Sequence, residues 1–406
     1  MAQRFGNFDI HYNKDVDEVD EDGVLIINEN NRKQAKYPDF LPTWDPKQKL
    51  PPLKFEKHID PASRADPNFP NLFPKDGSHQ IKRITPKFGT EVDGIQVSQL
   101  NDAGRDELAL LLAQRKVLIF NDQDFASKGP GFAVEFGKYF GNLHIHPSSG
   151  SPRGHPELHI TYRRPEKGQV ENIFTDRTTQ TSFHSDVTYE ITPSKFTVFQ
   201  VLESGDGGDT VFADTAEAYR RLSPAMQKRL EGLHVLHTSE DQAKNSTYQG
   251  GVERRKAVSN IHPLIRLDPI TKEKSIYVNR AFGRRIVELK KEESDYLLDF
   301  LYNLIERSHD LQLRANWEGG KRNRLVFFQN NSVSHSAVGI FYPVLDVIRV
   351  LGVLLNLTFD TEDGEVRHAF RISVLGERPI ANIEDLNKEE YTPGDLEQAL
   401  GHIKPV

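Results

Sequence analysis

Residues 181–190 read TSFHSDVTYE, and inside them His184, Ser185 and Asp186 form a His-x-Asp triplet. Along an extended strand, side chains two apart point the same way, so this reading sends an imidazole and a carboxylate into one cavity. One distant histidine would complete a 2-His-1-carboxylate set, which holds iron(II) on one face and leaves positions open for substrate and oxygen. A lone His-x-Asp is more often a surface pair, so the flanking sequence must carry the case. Around FHSDVTYE (183–190), read as a strand, lie short apolar runs bounded by Pro, Gly or Asp: ELHITYR (157–163), KFTVFQVL (195–202), RLVFF (324–328) and HAFRISVL (368–375). All four read as buried strands, as do the alternating VDGIQVSQL (92–100) and KVLIF (116–120). Helices are expected at NDAGRDELALLLAQ (101–114), GFAVEFGKYF (131–140), AEAYRRL (216–222), SPAMQKRLEGL (223–233) and EESDYLLDFLYNLIERS (292–308). In the last, Tyr296, Leu297, Phe300, Leu301, Leu304 and Ile305 fall on one stripe and read as core. The pattern predicts a mostly β fold with inserted helices around a double-stranded β-helix, the cupin-like jelly roll.

Composition narrows the function. The 406 residues include 52 Lys and Arg against 59 Asp and Glu, a net charge of −7, which disfavours a nucleic-acid partner. Hydrophobic residues make up 37%, with 24 Phe, enough for a sizeable core, so a wholly disordered chain is excluded. There is no cysteine, which removes disulfides, thiolate zinc sites, iron–sulfur clusters and thiol nucleophiles. Any metal must therefore sit on His and carboxylate. The opening MAQRFGNFDIHYNKD has no apolar signal region, and no run of about 18 apolar residues occurs, so a cytoplasmic protein with no membrane partner is expected. A homo-oligomer stays open. Residues 1–80, acidic at DVDEVDEDG and then proline-punctuated (YPDFLPTWDPKQKLPPL, PNFPNLFP), read as an extended arm around a folded body. The body is expected over 81–392, with a tail at 393–406.

Three more features join the triplet. GDGGDTVFADT (205–215) reads as a turn and strand, SVSHSA places His335 after RLVFF, and Arg367 and Arg371 lie four apart on an apparently buried strand. Guanidinium groups are always charged, so such a strand has to meet anions. In this order the pieces resemble the taurine dioxygenase family of iron(II)- and 2-oxoglutarate-dependent dioxygenases, in particular its fungal sulfonate dioxygenase branch, from about Ile84 to Pro379. The resemblance implies iron(II) on His184, Asp186 and His335, 2-oxoglutarate on Thr210 and Arg367, and no catalytic residue beyond the metal ligands. It further implies a small anionic substrate, such as the sulfonate taurine, held by His146 of LHIHP, Arg371 and the backbone N–H of Val187. The implied reaction couples oxidative decarboxylation of 2-oxoglutarate by molecular oxygen to substrate hydroxylation, releasing sulfite from a sulfonate. Two rivals remain: the same chemistry on a purine, an aryloxyalkanoate or a secondary-metabolite intermediate, and a non-catalytic jelly-roll protein.

The chain departs from the family pattern twice. Phe328-Gln329-Asn330-Asn331 stands where the family commonly has Trp-Asp-Asn-Arg, and 31 residues, 336–366, separate His335 from Arg367 where roughly ten to thirteen are usual. The surplus is the apolar FYPVLDVIRVLGVLLNLTFD, 341–360. It reads as a lid or dimerisation helix, as an added pair of strands, or as non-coding sequence carried into the reading frame; the first two readings, in which the insertion is real, put the placement of both arginines at stake.

Overall fold

The computed structural model of the chain describes residues 12, 16–163, 182–205, 207–248, 251–317, 322–338 and 366–388. The atypical stretch 341–360 and the tail 393–406 lie outside the described residues. Seven strands form a mixed sheet in the spatial order Gln80–Arg83, Thr90–Asp93, Val117–Phe120, Leu325–Gln329, Ser194–Glu203, Arg367–Leu375, Leu158–Arg163. Every neighbouring pair is antiparallel except Thr90–Asp93 with Val117–Phe120. A second, antiparallel sheet has the order Gln312–Ala315, Thr210–Asp214, Val333–Ala337.

Alternation along the strands sorts the core into layers. On Arg367–Leu375, Phe370, Ile372 and Val374 join one cluster with Leu108, Leu112, Phe136 and Phe140 from the helices Asp102–Arg115 and its neighbours. Ala369, the residue before Phe370, faces the opposite cluster, where Val201, Val326 and Phe328 of the large sheet meet Phe212, Leu313 and Val333 of the small one. Arg367 and Arg371 share the Ala369 face and therefore look into the space between the sheets.

Phe40, Leu41 and Trp44 pack into the first cluster. Thr43 exchanges backbone hydrogen bonds with Ser151 at 2.8 and 3.1 Å. The approach is close enough that a Cβ on Gly150 would sit 2.5 Å from Pro42 Cβ and 2.7 Å from Trp44 Cε2, which explains the glycine. Further on, Asp60 meets the buried Lys195 ammonium at 2.7 Å, and Glu377 meets it at 3.3 Å.

Three expectations are corrected. VDGIQVSQL is a strand only to Asp93: Gly94 adopts φ 82° and the chain turns into the 3-10 helix Val97–Gln99. The helix Lys291–Arg307 buries Ser294, Leu298, Leu301, Tyr302 and Ile305, whereas Tyr296 and Phe300 are 83% and 43% exposed. Leu297, Leu301, Leu304 and Ile305 of the expected stripe do pack on the core, and Ile286 N–H donates to Ser294 Oγ at 2.8 Å, joining the first turn to the strand Gly283–Ile286. FHSDVTYE is likewise no strand, as the site geometry below makes plain. Between the helices the chain also forms two small sheets and the helix Glu240–Tyr248, none of them read from the sequence. Among the described residues no helix is long and apolar enough to cross a membrane.

Two core histidines make the fold acid-sensitive. Burial first, and then Arg284, push His237 down to about 3, and burial pushes His368, which meets the Phe40 carbonyl at 3.0 Å, down to about 4. Both are neutral when folded and take up a proton on unfolding below the ordinary value of 6.5. The unfolded chain then binds more protons, so stability present above about pH 6.5 is lost as pH falls toward 4. Thermal melts should show Tm dropping by several degrees from neutral pH to about pH 5, and a smaller drop in His368→Gln. An unchanged slope in that variant would show that the His368 imidazole is not held neutral.

Candidate active site

The His-x-Asp triplet reaches its geometry by a route the strand reading did not foresee. His184 forms an isolated antiparallel bridge with His335, their backbones exchanging N–H···O bonds of 2.9 and 2.7 Å. The chain then turns at once, with Glu190 N–H donating to the Val187 carbonyl at 3.0 Å. Val187 sits at φ 47°, a conformation that a β-branched residue adopts only under constraint. The bridge sets the two imidazoles side by side, ring centroids 4.4 Å apart, and the turn brings the Asp186 carboxylate to them. Asp186 Oδ1 lies 3.8 Å from His184 Nε2 and 3.9 Å from His335 Nε2, and the three potential ligand atoms all fall within 4.8 Å of one another.

The donor chemistry fits a divalent metal. His184 Nδ1 lies 2.9 Å from the Ser182 carbonyl, which can only accept, so Nδ1 carries a hydrogen and Nε2 is the atom turned to the other two ligands. Burial, then His184, push the His335 imidazole down to about 3 despite Asp186, so this ligand is neutral. Burial alone would raise the Asp186 carboxyl, but Arg371, both imidazoles and the Thr197 hydroxyl hold it well below the usual carboxylate range. A carboxylate and two imidazoles converging on one point are the 2-His-1-carboxylate set.

The Phe-Gln-Asn-Asn departure supports this centre from below. Phe328 packs on the His335 ring at 4.6 Å, and Asn330 Oδ1 accepts the Asp186 backbone N–H at 2.9 Å. Thr197 Oγ1 donates to Asp186 Oδ2 at 2.6 Å. Asn331 Nδ2 turns the other way and binds Asp268. Nothing in the His-x-Asp spacing pointed to Asn330 or Thr197, because both act across strands.

The expected anion-binding residues divide into two groups. Arg371, despite the long separation from His335, faces the metal ligands: its Nη1 lies 3.0 Å from Asp186 Oδ1, and its Nε donates to His159 Nδ1 at 3.1 Å. His159, which the sequence reading passed over, faces Arg371 in register across the strand pair. Its ring packs edge-on against His146, centroids 4.6 Å apart. His146 is buried, and its Nδ1 accepts the backbone N–H of Ser149 at 3.0 Å and of Ser148 at 3.3 Å. Burial, followed by Arg371 and His144, pushes it well below its ordinary value. His146 is thus a neutral imidazole with a hydrogen on Nε2, not the cation its pairing with an anion suggested. Val187 follows Asp186 directly, and among the described residues no hydrogen bond engages its N–H.

The second group is placed by register. Thr210 pairs with Ala337 while Phe212 pairs with His335, so Thr210 shares the face of His335 on the small sheet. Arg367 is buried on the same strand and face as Arg371, opposite Arg163.

Residues 80–346 match the taurine catabolism dioxygenase TauD, TfdA family. The chain is 49% identical over 397 residues to the "alpha-ketoglutarate-dependent sulfonate dioxygenase" of Saccharomyces cerevisiae, an alignment covering 97% of this chain and 91% of that relative. It is 34% identical over 386 residues to the "alpha-ketoglutarate-dependent dioxygenase cnsP" of Penicillium expansum, covering 94% and 97%. The crystal structure of a taurine dioxygenase from Burkholderia xenovorans is similar with a TM-score of 0.55 at 24% identity, over 75% of this chain and 91% of that one, a likeness of fold.

Proposed function

The chain belongs to the taurine catabolism dioxygenase TauD, TfdA family, and from that premise we propose that it hydroxylates the carbon beside sulfur in a small alkyl sulfonate such as taurine. It is an iron(II)- and 2-oxoglutarate-dependent dioxygenase that uses molecular oxygen. Iron(II), when bound, supplies the oxidising chemistry that decarboxylation of 2-oxoglutarate drives. The protein orients the reactants and compensates their charge.

In this reading His184, Asp186 and His335 hold the metal, and Thr210 and Arg367 hold the carboxylates of 2-oxoglutarate. Arg371, the Nε2–H of His146 and the N–H of Val187 hold the sulfonate. The observation that carries the sulfonate assignment is the His146–His159–Arg371 row, one guanidinium and one neutral N–H donor brought together beside the carboxylate ligand. A sulfonate has three oxygens and a single negative charge, which one cation and two neutral donors match. Val187, Tyr189 and Phe282 form an apolar cluster, with the Phe282 ring 6.3 Å from that of His184, suited to the carbon end of such a molecule. The sulfonate dioxygenase activity in the name of the S. cerevisiae relative supports the same choice. One oxygen atom enters the C–H bond, and the resulting 1-hydroxysulfonate breaks its C–S bond to give an aldehyde and sulfite. The other oxygen atom enters the succinate formed with carbon dioxide.

We also read the two packed sheets as a double-stranded β-helix, with 1–80 as an arm outside it, 81–392 as the catalytic domain, 393–406 as a tail, and a cytoplasmic setting. The test is succinate release with iron(II) across a panel of sulfonates, sulfate esters, purines and aryloxy acids. Sulfonate-dependent succinate with stoichiometric sulfite is expected. A purine or aryloxy acid turned over at least about tenfold more efficiently would replace the sulfonate reading.

A further inference from the structure

We propose that Thr197 and Asn330 are positioning residues that restrict Asp186 to one metal-binding oxygen, and this rests on the reading of His184, Asp186 and His335 as the metal site. The hydrogen-bond chain beneath Asp186 has its direction fixed at one end. The Asp186 backbone N–H can only donate, so the atom of Asn330 that it meets at 2.9 Å has to be the amide oxygen. The Asn330 amide nitrogen is thereby turned to Thr197 Oγ1 and Ser194 Oγ, each at 3.0 Å. Having accepted from that nitrogen, the Thr197 hydroxyl has its own hydrogen left for Asp186 Oδ2, at 2.6 Å.

Both residues are buried to 0% exposure, and the Asn330 backbone N–H is itself committed to the Lys195 carbonyl at 2.7 Å. The amide therefore has no room to flip and no other partner to choose. Oδ2 is retired into the protein interior. Oδ1 alone faces the cavity, where it meets Arg371 Nη1 at 3.0 Å and the two imidazole Nε2 atoms at 3.8 and 3.9 Å. A carboxylate that binds through both oxygens takes two coordination positions, whereas one that binds through a single oxygen leaves the extra position open. This chemistry needs open positions for the co-substrate and oxygen, so the Thr197 hydroxyl preserves a vacancy as well as an orientation.

The test uses the full chain with Co(II), whose d–d absorption reports coordination number without turnover. Thr197→Val, of the same shape but without the hydroxyl, is expected to bind Co(II) with a changed absorption spectrum and about 10–100-fold altered affinity. Thr197→Ser should restore both the spectrum and the affinity, which a merely space-filling role would not predict. Should the valine variant fail to fold by circular dichroism, Thr197→Ala takes its place with the same expectation. A hydroxyl-free, folded variant with the wild-type Co(II) spectrum and affinity overturns the proposal. Wild-type protein that binds no Co(II) instead removes the metal-site reading beneath it, and the proposal with it.

Discussion

His184→Ala, Asp186→Ala and His335→Ala will each abolish iron-dependent decarboxylation of 2-oxoglutarate. The three ligand atoms lie within 4.8 Å of one another, and among the described residues this is the one His/Asp/Glu group that could hold a metal ion. A three-ligand site has no redundancy. Loss even of an outer hydrogen-bond partner typically costs about 10–100-fold in metal affinity, so loss of a ligand should cost more than about two decades. The aspartate variant should be the most severe, because it also strips Arg371 and Thr197 of the acceptor they share. Iron(II) titration and succinate release check the result together. A variant that keeps both at the wild-type level has lost its place among the ligands.

The second large effect separates the two arginines. Arg371→Ala should lower kcat/KM for the anionic substrate by about one to two decades, the worth of a charge-assisted hydrogen bond of roughly 1.5–3 kcal/mol, and leave the KM for 2-oxoglutarate nearly unchanged. Arg367→Ala should do the reverse. Because the Arg371 guanidinium and the metal share Asp186 Oδ1, the Arg371 variant should bind iron(II) no more weakly than wild type, which distinguishes a lost anion site from a damaged fold. Co-substrate affinity that follows Arg371 would mean the roles are exchanged.

Much of the architecture was legible because local pattern and tertiary environment agree. The apolar runs at 117–120, 158–163, 194–203, 325–329 and 367–375 are buried on both faces in the large sheet, and such strands announce themselves as near-continuous hydrophobics. The metal set was legible as residue types in order. Its geometry was not: a strand model placed His184 and Asp186 on one side, whereas a bridge to His335 and a strained turn at Val187 bring them together. His159 and Thr197 left no mark in the sequence, and Asn330 stood out only as part of the Phe-Gln-Asn-Asn motif, because each acts through a residue far along the chain. The helix Lys291–Arg307 shows the converse error in part: Leu297, Leu301, Leu304 and Ile305 of the apolar stripe pack on the core, whereas Tyr296 and Phe300 at its edge face out and Leu298 and Tyr302 are buried instead.

The position of the strand Arg367–Leu375 has a consequence for biosynthesis. It lies between Ser194–Glu203 and Leu158–Arg163, which make no ladder with each other, so a nascent chain that has completed both still holds two open sheet edges. Open edges of this kind template wrong pairings. Asp186 precedes its partner Arg371 by 185 residues, and at about 5–20 residues per second the ribosome takes on the order of ten seconds or more to deliver the missing strand. The active site is therefore among the last parts of the molecule to form. The protein's exposure to aggregation during synthesis is governed by how quickly the strand Arg367–Leu375 arrives to zip the sheet shut.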